Sequence, residues 1–165
     1  MNARKMIKMT LVAGLLFLAL GGLLLHLRIH PLTKNDDNIV PVICGTVSVF
    51  VLPLLFWFRS TVSLAYVING FLVIIGTITM AHFSITSFKD PITPVNIILN
   101  TTFADIIVLW GKFAVGKAIF GLEFLKLDTD TATKGRFFRY PNMGWWWAHL
   151  FALALVYTLG NIFWK

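Results

Sequence analysis

Apolar residues fill this chain in long blocks, broken by short clusters of charge and proline. A block of about 18 residues or more, rising about 1.5 Å per residue, fits a transmembrane helix. Met1–Lys8 is basic, with Arg4, Lys5 and Lys8, and an apolar run follows to Leu25. It has the charged and apolar regions of a signal peptide but no clean small-x-small cleavage site. It therefore predicts an uncleaved first span over about 6–29, ended by Pro31. Ile39–Phe58 is an uncharged run of 20 residues, the second span, with Pro41 in its first turn and Pro53 inside as a kink. Ser60–Ala81 is an uncharged run of 22 residues and places the third span at 60–82. The break between these two is so short that they must be antiparallel neighbours. A fourth span starts near Pro94 and covers 94–115, with an extension to 122 left open. Residues 123–143 form a polar loop, and Trp145-Trp146-Trp147 open a fifth span over 144–163. Trp164 closes its far end, so aromatic residues mark both interfaces.

Composition and charge sharpen this picture. With 58% hydrophobic and 13% charged residues, the chain is too apolar for a soluble domain of 165 residues. The expected fold is all-α: one polytopic transmembrane domain of five helices. The net charge of +7 sits at helix ends and in one loop, so nucleic acid is not the expected partner. The lipid bilayer and other membrane subunits are. An N-terminus inside puts ten Lys and Arg on the inner side, among them Lys112, Lys117, Lys126, Lys134, Arg136 and Arg139. Four fall outside: Arg28, Lys34, Lys89 and Lys165. This bias predicts a cytoplasmic N-terminus, a cytoplasmic loop at 123–143, an outer C-terminus and residence in a bacterial inner membrane. The single Cys44 excludes an internal disulfide.

Asp105 is the one acid set inside an apolar span. A helix continuous from Pro94 puts it near mid-bilayer, where a carboxylate costs roughly 2.5–3.5 kcal/mol. Thr101, Asp105 and Lys112 share a helix face, and Asn96 and Asn100 lie on a neighbouring one. A buried polar set of Asp105, Thr101 and Asn100 reads either as a proton or ion relay or as a hydrogen-bonded lock between helices. Gly111, Ala114, Ala118 and Gly121 form a stripe of small residues that would let another helix approach. Asn69, mid-way along the third span, is expected to hydrogen-bond another helix.

Two histidines, His26 and His82, fall at the outer ends of spans one and three, and His30 is one turn beyond His26. Equal depth on different helices is what bis-His ligation of haem b needs, with Gly22 leaving room and Arg28 or Lys34 meeting propionates. His26, His30 and His82 with Asp36 or Asp37 are an alternative transition-metal set, and a quinone pocket is a third reading. Interfacial residues that keep their polar atoms wet are the plain alternative. No Walker loop, GxGxxG, GxSxG or HExxH is present, so the chain is not expected to catalyse a reaction alone. Three functions follow as expectations. The first is a subunit or scaffold of a larger inner-membrane respiratory or transport complex. The others are a b-type electron-transfer subunit and a small transporter or proton channel using Asp105.

Overall fold

The computed structural model describes residues 2–34, 39–87, 91, 93–96, 102–125 and 143–163. These residues are almost entirely helical, with no strand among them. α1 (Ala3–Ile29), α2 (Ile39–Trp57), α3 (Val62–Ser87), α4 (Phe103–Phe120) and α5 (Met143–Phe163) follow in chain order. Among the described residues, three helical segments are long and apolar enough to cross a membrane: α1, α2, and α3 with the turn before it.

Local chemistry explains several boundaries. The Asn2 side chain accepts from the Arg4 N–H at 3.1 Å and caps α1, while His30 and Pro31 end it. Between α2 and α3 the single turn Arg59–Thr61 reverses the chain. Pro53 inside α2 removes one helical donor. Nearby, Thr61 donates its hydroxyl to the Leu55 carbonyl at 2.6 Å.

α1 packs on α2 and α4, and α3 packs on α2 and α4, so the four helices close a ring. α5 lies outside it against α3, with Trp147 set edge-on to Trp110 and Phe113 of α4. α1 to α4 run antiparallel in succession: Gly45 early in α2 faces Leu23 late in α1, Lys8 early in α1 bonds Trp57 at the end of α2, and Thr102 before α4 bonds Met80 late in α3. The starts of α1 and α3 therefore share one end of the bundle with the ends of α2 and α4. This is called here the N-terminal end. Outward faces of α1, α2, α3 and α5 expose Phe17, Phe50, Phe71 and Phe151. Such a belt of large apolar side chains suits lipid rather than water.

The fourth helix departs from expectation. α4 begins at Phe103 with Thr102 as N-cap, not at Pro94. Pro94–Asn96 are helical, and 97–101 lie outside the described residues. Buried Thr102 gives its hydroxyl to the Met80 carbonyl of α3, so it anchors the start of α4 across the bundle instead of continuing a helix. Asp105 thus stands in the first turn of α4 and not at mid-helix. A helix N-terminus favours negative charge there.

Candidate functional site

A cavity opens between the four ring helices in the half of the bundle away from the N-terminal end. α1 lines it with Gly22 and His26, α2 with Cys44 and Ser48, α3 with Gly76 and Met80, and α4 with Asp105 and Lys112. The space open to the centres of water molecules is about 40 Å³. That holds a few waters, since one needs roughly 10–15 Å³ by this measure. Glycine makes the wall. A Cβ on Gly76 would lie 2.8 Å from the Leu109 Cδ1, and one on Gly45 would lie 2.6 Å from the Leu23 Cδ1.

Three ionisable side chains are enclosed there. His26 is 2% exposed, Asp105 2% and Lys112 1%. Neither ring nitrogen of His26 and neither carboxylate oxygen of Asp105 has a hydrogen-bond partner among the described residues. Each orphaned polar group costs about 1–3 kcal/mol unless something else satisfies it. Lys112 donates to the Ser48 hydroxyl across the bundle axis. Ser48 in turn donates to the Cys44 carbonyl at 2.6 Å, which leaves its oxygen lone pairs for the lysine. Asp105 and Lys112 are seven residues apart on one face of α4, about 10 Å along the axis. Gly116 continues this face, and buried Glu123 ends it in the wide turn Gly121–Leu125.

Below Lys112, toward the N-terminal end, the interior changes character. Buried Asn69 packs its amide against Gly116 and, contrary to expectation, bonds no other helix among the described residues. Beyond it the core is Phe56, Val62, Ala65, Tyr66, Phe113 and Phe120, with Tyr66 and Phe120 stacked at 4.4 Å. An ion cluster finishes this end. Glu123 lies 3.4 Å from Arg4 and 3.7 Å from Lys8, and Lys8 also donates to the Trp57 carbonyl at 2.7 Å.

The residues singled out in the sequence are partly brought together. Asp105 and His26 share the cavity; Asn100 and Thr101 lie outside the described residues. His26 and His30 are neighbours, with ring centroids 5.5 Å apart, and His30 stacks on Phe83 at 4.8 Å. His82 is exposed, while His26 faces the cavity. The bis-His pair therefore does not face one space, and a cavity for a few waters does not fit a macrocycle. No group of three His, Cys, Asp or Glu that suits a metal exists among the described residues, and Asp36 and Asp37 lie outside them. The small-residue stripe divides as well. Gly111 faces Leu18 of α1, Ala118 is exposed, and a Cβ on Gly121 would meet nothing within 4 Å. The close approaches are at Gly22, Gly45, Gly76 and Gly116 instead.

Lys112, on the Asp105 face in the sequence but counted among the inner-side charges, lines the cavity instead. It is sunk in the bundle, so the inner count falls to nine. The signal was present: apolar residues continue on both sides of Lys112, and it shares a face with Asp105. An all-helical, lipid-suited bundle with a small cavity, mostly apolar in its walls but holding three ionisable side chains, is the class that fold and site define. Comparison with family models, curated proteins and solved structures gives no match, so the functional reading rests on this geometry.

Proposed function

We propose that this chain is a five-span integral membrane protein, N-terminus cytoplasmic and C-terminus outside, resident in a bacterial inner membrane, and that it acts as a small transporter or proton channel through Asp105. One observation carries this reading: an acid and two bases from two helices enclose one cavity, and the acid has no protein partner among the described residues. A lone acid makes a poor pathway, whereas an acid with bases in reach can pass a proton or hold an ion. The corrected charge count, nine against four, supports the orientation.

In sealed proteoliposomes under an imposed pH or ion gradient, the wild type carries flux and Asp105→Asn lowers it at least tenfold without changing its elution in detergent. Flux that survives the substitution sinks the assignment to Asp105. A second reading, a non-catalytic subunit of a larger membrane complex, is favoured by the apolar core that closes the N-terminal half of the bundle. It predicts a stable partner that co-purifies in mild detergent and a silent isolated chain.

A further inference from the structure

We infer that the transported species is the proton and that Lys112 is its acceptor at the centre of the bundle, reached from Asp105 through a short chain of water molecules. This rests on the transport reading and adds to it a substrate and a second working residue. Metal cations and anions suit the cavity poorly. A cation would meet Lys112, an anion would meet Asp105, and neither charge is cancelled by a contact ion pair among the described residues. A neutral solvent chain that passes protons meets neither objection.

The geometry favours transfer. Asp105 and Lys112 stand about 10 Å apart along α4. Both residues line a cavity with room for a few waters, and at about 2.8 Å per hydrogen bond three or four links cover the axial rise between their positions. Ser48 prepares the acceptor. Its own hydrogen goes to the Cys44 carbonyl, so it only accepts from Lys112. A neutral amine keeps two N–H bonds, so it can give one to Ser48 and still turn its lone pair to the cavity. The contact therefore persists in both protonation states. The transfer balances as follows. The Asp105 carboxylic acid gives its proton to the first water, the last water gives a proton to Lys112 Nζ, and a carboxylate and an ammonium result. His26 from α1 is the other proton-exchanging group at the Asp105 level, α2 offers the ionisable Cys44 thiol near Lys112 together with Ser48, and α3 lines the cavity with Leu72, Gly76 and Met80, which are not ionisable.

The test uses proteoliposomes of the full chain with a trapped pH dye and three variants: Asp105→Asn, Lys112→Met and Lys112→Arg. Arginine keeps the charge but does not release a proton, so it separates relay from mere electrostatics. The expected result is a tenfold or greater loss of proton flux in all three, with potassium and chloride gradients giving no flux in the wild type. Flux retained by Lys112→Arg or Lys112→Met, with Asp105→Asn still inactive, overturns the Lys112 assignment and leaves the transport reading standing. A wild type that conducts no ion overturns the transport reading itself. If either lysine variant fails to elute as the wild type does, Ser48→Ala decides. It keeps Lys112 but removes its positioning contact, and the expected proton flux is three- to tenfold lower. Unchanged flux in Ser48→Ala overturns the proposal.

Discussion

The two halves of the bundle differ in what fills the space between the same four helices. Away from the N-terminal end, glycines at Gly22, Gly45 and Gly76 face a cavity that encloses His26, Asp105 and Lys112. Toward the N-terminal end the filling is aromatic and aliphatic, and charge returns only where Glu123 meets Arg4 and Lys8. One face of α4 passes through both regions. The buried polar side chains of this face thus have different surroundings along its length. In one half they line a small cavity; at the other end, opposite charges meet them. Between these lies Gly116, pressed by Asn69 and by Phe56, where a Cβ would sit 3.3 Å from the Phe56 Cζ.

The largest expected effect comes from opening the packed half. Phe113 is fully buried against Tyr66 and Trp147. Phe113→Ala is expected to destabilise the protein by about 3–5 kcal/mol, read by denaturant unfolding in detergent. It should also raise proton flux in proteoliposomes above that of the wild type. A smaller effect is expected at the seam. Gly116→Ala pushes on the Asn69 amide and the Phe56 ring and should cost about 1–3 kcal/mol. A neutral outcome there would mean that the two halves are less tightly joined than the distances indicate. The smallest effect is expected at His82, exposed on α3. His82→Ala should stay within about 0.5 kcal/mol of wild type and leave flux unchanged, whereas loss of a visible chromophore would restore the haem reading.

Much of the fold was legible because lipid imposes a simple rule. An uncharged run long enough to span must be a helix, since only a helix satisfies its own backbone there. α1, α2 and α3 follow from that rule. The start of α4 did not, because the Thr102 hydroxyl bonds α3 while its carbonyl accepts from Ile106 to open the helix, and no periodicity reports a cross-helix contact. Asp105 drew notice as an acid in an apolar run, and His26 as a histidine at a helix end. Their meeting depends on α1 and α4 packing together, which hydropathy alone does not encode. Lys112 was misplaced for a related reason: a lysine after an apolar stretch usually marks a membrane boundary, and here it turns toward Ser48 at the bundle axis.

The cavity half of the bundle should admit water and the packed half exclude it. The single native Cys44 lines the cavity and is half-buried, so it serves as a probe. Ala65→Cys in a Cys44→Ser background supplies its counterpart in the apolar core, where Ala65 is fully buried. The measurement is the reaction rate of each thiol with a small water-soluble thiol reagent in native membranes. The account predicts that Cys44 reacts and that the thiol at position 65 stays unmodified until the protein is denatured. Equal reaction at both positions, or an inert Cys44 beside a reactive residue 65, would contradict it.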